Sequence, residues 1–351
     1  MQETVKDGGS TARLDKLDWR ILYELDCDAN QSFANIGKKL KTGRDVILYR
    51  VKRLEEIGVI KKYVSIIDYG KIGYLVGALY VKFQHETPEI RNEILEYYKK
   101  QKSVWWLLDM SPNYDFAFGW FGKDLLELKN IKMEILKKYR KYFKDFKFRV
   151  YNHHYHFKRN YLNPEPQQTK PSPPLAVAAR TEKLTDEMDD KILAILSENA
   201  RKPYVEIAND LKLSAAQVHY KIQQLHEKKV ILGARPMLDL KKIGYTLFKL
   251  DIYLDDYSVY DEIIKFVFSL PNVLYAYDVI GGADIELDIE TDSYENFVKL
   301  QDSIKEKFGQ AISHTECYEF KKEHKLIYFP QITRSIGREE SGKSGKTTGE
   351  N

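Results

Sequence analysis

The first sixty residues carry apolar side chains at helical spacing. Leu17, Ile21, Leu22 and Leu25 recur at i, i+4, i+5 and i+8, which predicts one helix; Phe33, Ile36 and Leu40 predict a second, shorter one. Ile47, Val51 and Leu54 then form an i, i+4, i+7 stripe that predicts a third helix over 43–57, followed by the β-prone run "GVIKKYVSII". Beyond residue 66 the period changes. "YLVGALYVKF", "SVWWLLDM", "YDFAFGWF" and "KFRVYNHHYHFKR" read as strands, with "PEIRNEILEYYKKQ" and "LLELKNIKMEILKKYRKYF" as the helices between them. The order βαββαβ is that of a ferredoxin-like unit.

The whole pattern is written twice. "KIGY" at 71–74 recurs at 242–245, and the same offset of 171 residues places Ile21, Leu22 and Leu25 on Ile192, Leu193 and Leu196. Val51, Leu54, Val59 and Ile60 likewise fall on Ile222, Leu225, Val230 and Ile231. The fold class expected is therefore α+β: two copies of a winged helix-turn-helix domain, each followed by a ferredoxin-like βαββαβ domain. The boundaries expected are 14–66 and 67–160 for the first copy and 184–237 and 238–330 for the second. Between the copies, Pro164, Pro166, Pro171, Pro173 and Pro174 predict a semi-rigid extended linker over 161–183. Residues 1–13 and 331–351 have little to bury and are expected to be disordered tails.

Composition narrows the classes. The chain has 351 residues, too many for one ordinary core, and 43% hydrophobic against 31% charged residues is usual for a soluble protein. No uncharged apolar run approaches the roughly 18 residues of a bilayer span, and the polar opening "MQETVKDGGSTARLDKLD" lacks a signal-peptide core, so no membrane partner is expected and the cytoplasm is the expected location. Cys27 and Cys317 stand far apart without metal-type spacing and read as plain thiols. His153, His154 and His156 lie together, but with no cysteine or carboxylate cluster to complete a site they read as a polar strand edge. Neither a metal nor a cofactor is expected.

Charge is distributed unevenly between the two third helices. Residues 38–62 hold nine cations against three carboxylates, whereas 209–233 hold four against two. A third helix whose outer face is free can enter a major groove roughly 12 Å wide, and an excess of cations there is explained by phosphate neutralisation. The DNA-binding residues expected are Arg44, Tyr49, Lys52, Arg53, Lys61 and Lys62 in the first copy. Those in the second are Ser214, Gln217, His219, Tyr220, Lys221 and Gln224, on a helix over 215–228. "SAAQ" opens that helix with Ser214 and Gln217 as a capping box, and Thr42 with Asp45 predicts the same start in the first copy.

These residues resemble the leucine-responsive regulator (Lrp/AsnC) family. The likeness rests on "LDKLDWRILYEL", "FANIGKKL" and "VILYRVKRLEEIGVIKKYVSIID", and on the echo "MDDKILAIL", "YVEIANDLKLSAAQVHYKIQQLHEKKVI". It implies a regulator of transcription that binds double-stranded DNA. Because members usually carry one copy per chain and pair through their sheets, it further implies a covalent pseudo-dimer, with room for further homo-oligomers. It implies, too, an amino-acid-like effector at the loop between the second and third strands, where "IGGADIEL" keeps Gly281, Gly282 and Asp284, and "MSPNYDFAF" keeps Asp115 alone. A second class, the sirohaem decarboxylases, resembles the family in both modules, and a tandem chain is similar to such a pair fused. The histidine-rich loop and Arg-Pro segments associated with those enzymes are not seen. The third reading is a sensor or scaffold that does not bind DNA.

Overall fold

The computed structural model describes residues 11–165, 173–179 and 182–330. In the first copy, helices α1 (Lys16–Cys27), α2 (Phe33–Leu40) and α3 (Arg44–Glu56) are followed by strand β1 (Ile60–Ile67). Then come β2 (Leu75–Phe83), α4 (Pro88–Lys100), β3 (Val104–Ser111), β4 (Phe116–Gly122), α5 (Leu125–Tyr139) and β5 (Phe143–His156). A short β6 (Leu175–Ala178) precedes the second copy, which opens with α6 (Glu187–Glu198), α7 (Tyr204–Leu211), α8 (Ala215–Glu227) and β7 (Ile231–Leu238). It continues with β8 (Thr246–Leu254), α9 (Tyr260–Val267), β9 (Val273–Ile280), β10 (Ile285–Thr291), α10 (Tyr294–Phe308) and β11 (Ile312–Leu326). The elements predicted from period are thus present in the predicted order.

Each three-helix head is built around the apolar stripes read from sequence. Ile21, Leu22, Leu25, Ile36, Ile47, Val51 and Leu54 are buried together in the first head, and Ile192, Leu193, Ile207, Val218, Ile222 and Leu225 in the second. One polar device recurs. Asp15 caps α1 and Asp18 reaches back to the Asp15 amide, closing a reciprocal capping box, and Asp186 with Asp189 does the same for α6. The third helix is then pinned to this box by a cation, Arg50 in the first head and Lys221 in the second.

The runs read as wings do not form a hairpin within either head. β1 and β7 pair with one another, antiparallel, with Ser65 opposite Ala234 and Tyr63 opposite Pro236. A single strand following the third helix has no backbone partner in its own head, and the equivalent strand of the other copy pairs one of its edges. The heads also exchange packing partners. The second head shares a core with Tyr69, Tyr74 and Phe121 of the first copy, whereas the first head packs on Ile243 and Tyr245 of the second.

Nine strands form one sheet in the order β2-β4-β3-β11-β8-β10-β9-β5-β6, and β2 also pairs with β5, which closes the first eight into a barrel. Closure is achieved by the two longest strands. The first part of β5 pairs with β2 of its own copy, and its last residues, His153 to His156, pair with β9 of the other; β11 pairs with β8 up to Glu319 and with β3 beyond it. The helices pack outside, over Leu79, Phe116, Phe118 and Trp120 in one copy and Leu250, Ile252, Leu287 and Ile289 in the other. Of the run read as linker, residues 175–178 are a strand against β5, and Pro166 and Pro171 lie outside the described residues, as do 1–10 and 331–351 of the expected tails.

Heads and barrel meet at a buried charge cluster. Asp26, at the end of α1, accepts from the Arg159 amide and guanidinium at 2.8 Å and from Arg235 of β7 at 2.8 Å, and Arg159 in turn donates to Glu290 of β10 at 2.8 Å. Burial alone would raise the Asp26 carboxyl; the two guanidiniums overcome it and hold it below the usual range. Breaking a buried ion pair by removing one partner costs about 3–5 kcal/mol. Asp26→Asn is expected to lose stability on that scale in urea unfolding at neutral pH. A loss under about 1 kcal/mol would mean that the cluster does not hold the heads.

Candidate functional site

The outer face of α3 carries exposed cations. Arg44 and Tyr49 are about two-thirds exposed, and Lys52 one turn further on is exposed as well. Lys38, Lys41 and Lys52 form no ion pair among the described residues, and Arg44 has only its neighbour Asp45, at 3.5 Å. The start of the helix differs from expectation. Its cap is Gly43 rather than Thr42, because α2 ends on Lys41 in the left-handed region and the Thr42 amide bonds back to Gly37. Gly43 offers no side chain, so the first-turn amides of α3 have no side-chain cap, a favourable place for an anion.

Other cations counted from sequence are occupied inside the molecule. Arg53 donates to Asp18 at 3.1 Å and to the Arg13 carbonyl at 2.9 Å. Lys39 holds Glu24, Lys61 lies 3.8 Å from Asp239, and Lys62 bonds Glu198 at 2.9 Å, the last two partners belonging to the second copy. On α8, Lys221 bridges Asp186 and Asp189 at 2.7 and 2.9 Å. Ser214 and Gln217 cap one another as predicted, which uses the Gln217 carbonyl, and Gln224 donates to Glu227. His219, Tyr220 and Gln223 are left exposed on that face.

The two hairpins read as effector loops are separate, and each carboxylate in them serves its own copy's backbone. Asp284 accepts from the Leu254 amide at 2.7 Å and from the Tyr257 hydroxyl; Asp115 accepts from the Phe83 amide at 2.9 Å and pairs with Lys82 at 2.7 Å. Gly281 has φ of +83°, and a Cβ there would stand 2.8 Å from the Phe148 carbonyl. A Cβ on Gly282 would stand 2.3 Å from Glu286 Oε1 and 3.2 Å from Arg149 Cδ, so both glycines admit the crossing β5 chain.

The interior of the barrel holds chemistry that the sequence reading did not pick out. On the second copy's strands the inward positions are Lys249, Asp251, Glu286, Asp288 and Glu290, all buried; on the first they are Val76, Ala78, Tyr80, Ala117 and Phe121. Arg149 of β5 bonds Asp251 at 2.7 Å and lies 2.6 Å from Glu286 as an ion pair off the hydrogen-bond line, while Lys249 stands 2.8 Å from Glu286. Burial carries the Asp251 carboxyl up to about 6 and raises Asp288; at Glu286 the two cations win and hold it low. Two cations, Arg149 and Lys249, thus face three acids, Asp251, Glu286 and Asp288. The strict alternation of acid and apolar in "IELDIET" carried the signal, but it reads as a solvent face unless the sheet is known to be covered.

The histidines are a correction of the same kind. His154 and His156 are not a polar edge: they are buried inside the barrel, stacked with ring centroids 4.0 Å apart and flanked by Tyr275 and Tyr277. Only His153 faces outward, beside Asp278 at 3.2 Å. Among the described residues no group of three or more metal-ligating side chains occurs, and no helix is long and apolar enough to cross a membrane.

Two helix-turn-helix heads joined to one closed barrel define the class of protein. A model of the AsnC-type helix-turn-helix domain matches residues 186–226, and one of winged helix-turn-helix DNA-binding domains matches 14–61. The regulatory protein AsnC of Haemophilus influenzae is 31% identical over 107 residues, which are 30% of this chain and 71% of that protein. The transcriptional regulator AzlB of Bacillus subtilis is 31% identical over 124 residues, 35% of this chain and 79% of its own length. The chain belongs to the Lrp/AsnC family. Each relative matches about one copy of the repeat. Across both copies, the siroheme decarboxylase NirDL superposes with a TM-score of 0.60 over 90% of this chain and 94% of its own, at 15% identity, a likeness of fold.

Burial lowers His154 to about 3, with Lys249 and Arg235 adding to the effect, and takes His156 well below the ordinary value. In the unfolded chain both would titrate near 6.5, so between about pH 3 and 6.5 the unfolded state binds more protons and stability rises with pH. Each histidine contributes a slope of about 1.4 kcal/mol per pH unit in that window and none above it. Urea unfolding of His154→Phe is expected to show a shallower loss between pH 7.5 and 5.0 than the parent chain. Parallel curves would mean that the ring is protonated in the folded barrel.

Proposed function

We propose that this protein is a DNA-binding regulator of transcription in which the two fused copies form a pseudo-dimer and the first head makes the dominant contact with duplex DNA. The observation that carries this reading is the free face of α3: Arg44, Tyr49 and Lys52 point outward beside Lys38 and Lys41, and the helix start is uncapped. Long-range attraction and non-specific affinity for duplex DNA come from cations that neutralise phosphates, and cations already held by internal carboxylates add little. Arg53 and Lys221 therefore act as positioning residues that set their helices on the capping boxes, and Lys61 and Lys62 help to hold the heads together. In the second head His219, Tyr220 and Gln223 are able to hydrogen-bond base edges or phosphates but neutralise almost nothing. The relatives AsnC and AzlB, both named as regulators, point the same way.

Fusion suits such a division. Each copy supplies half of the barrel, so the chain completes in itself the assembly that two single-copy chains would make, and its two heads are free to differ.

The test is fluorescence anisotropy on a pool of duplex fragments across a salt series. Substituting Arg44→Glu and Lys52→Glu together is expected to weaken binding at least tenfold at moderate salt and to reduce the log–log salt slope by about two, roughly 0.9 for each phosphate contact removed. His219→Ala with Tyr220→Ala is expected to stay within about threefold. Equal losses from the two heads would sink the assignment of the dominant contact. No binding at low salt, together with a Soret shift on titrating the chain with an iron porphyrin, would replace a regulator with the fused decarboxylase-like enzyme.

A further inference from the structure

The closed barrel contains a chamber of about 110 Å³ between its two sheets, at the end nearer the heads. Its walls are largely ring faces: Trp105, Trp106, Tyr275, Tyr277 and Phe320, with the His154–His156 pair at one side. Two polar atoms on this wall are buried without a partner, Trp105 Nε1 and His154 Nε2, and His154 as a whole is 3% exposed. His156 makes no hydrogen bond among the described residues and borders two further cavities, one under the β1–β7 ribbon and one beside Cys27. A buried polar group left unmatched costs about 1–3 kcal/mol, and here two rings carrying such groups converge on one space beside His156.

The surroundings specify what would fill that space. Burial keeps both imidazoles neutral, so neither recruits an anion. On the wall, Lys249 stands against Glu286 and Asp288, Asp288 also accepts from the Tyr277 hydroxyl at 2.8 Å, and Glu323 forms no ion pair among the described residues; burial raises the carboxyls of Asp288 and Glu323 and so disfavours their charged forms. A further ion would have to shed its water here at a large desolvation cost. A flat molecule fits between ring faces, and the chamber, at about 110 Å³, is somewhat smaller than the cavity of about 150 Å³ that takes up benzene, so it has room for one small ring. The asymmetry of the barrel supports a single site: Trp106 lies flat on Gly119, where a Cβ would stand 2.5 Å from the indole nitrogen, so the first copy's inner wall is closed by that ring.

We propose that the chamber beside Trp105, His154 and His156 is a binding site for a small, planar, uncharged, single-ring aromatic molecule carrying an N–H or O–H, of the size of phenol. The ring lies among the aromatic walls, and its N–H or O–H group donates to an imidazole nitrogen. This site is distinct from the hairpins at Asp115 and Asp284, and it stands whether or not the heads bind DNA.

The test uses the full chain and 4-fluorophenol as probe, followed by fluorine magnetic resonance, with phenol, indole, benzoate and tyramine as competitors. Phenol is expected to displace the probe, and the larger indole and the charged benzoate and tyramine to be at least tenfold weaker. His156→Phe removes the acceptor but keeps a flat wall, and is expected to weaken the probe at least fivefold; Leu108→Trp fills the chamber and is expected to abolish its binding. Since either variant could fail to fold, a crystal of the parent chain soaked with phenol supplies a second measurement, with density for a ring against His156 expected. Ordered water alone in the soaked chamber, or benzoate competing as well as phenol, would overturn the proposal.

Discussion

A four-stranded βαββαβ sheet carries helices on one face and leaves the other bare, and everything distinctive in this molecule follows from how that bare face is covered. Each copy covers the other. The exchange is made by β5 and β11, which run past the end of their own sheet and continue as the edge strand of the opposite one. Edge strands with free backbone groups invite association with other chains, and closure removes them. The same logic operates in the heads, where a lone strand after each third helix finds its partner in the other copy. Neither copy is therefore a complete fold by itself, and the covalent link between them guarantees a partner that a free subunit would have to find by diffusion.

Once two halves are bound to one another for good, their matched positions no longer need to stay alike. The barrel interior records this divergence. Where the first copy places Ala78 and Ala117, the second places Lys249 and Glu286, and the Arg149 that neutralises the latter comes from the first copy. Such a cluster is balanced only when both halves are present, which makes the pairing of unlike halves specific. The heads have diverged in the same way: one keeps a third helix with no side-chain cap and with free cations, the other a helix opened by a capping box whose exposed face offers His219, Tyr220 and Gln223.

How much of this was legible in the chain depended on range. Helices and strands were legible because burial imposes a period that a few neighbouring residues suffice to display, as Ile47, Val51 and Leu54 do. The duplication was legible because "KIGY" repeats with its surroundings in register. Pairing between copies was not, since nothing in "GVIKKYVSII" says that its partner lies 171 residues away. The inward acids of β10 were misleading for a related reason: alternation reveals that a strand has two unlike faces, but not which of them meets water. His154 and His156 were misread in the same way, as an exposed edge, because the strand that covers them comes from the other copy.

The charge count over 38–62 shows a more general limit. Nine cations fall in that window, but besides Arg44 with its exposed neighbour Asp45, five of them have carboxylate partners elsewhere in the fold: Lys39, Arg50, Arg53, Lys61 and Lys62. Asp15 and Asp18 lie some thirty residues before the arginines they bind, so a local window counts the cation and omits its partner. What survives the subtraction is smaller but better placed. Lys38, Lys41, Arg44 and Lys52 surround the uncapped start and outer face of α3, where a helix meets a groove, whereas the paired cations sit where the head needs to be rigid. The internal pairs and the free charges thus do complementary tasks: Arg50 and Arg53 fix the angle at which α3 is held out, and that fixed angle is what allows a few remaining cations to act together on one surface.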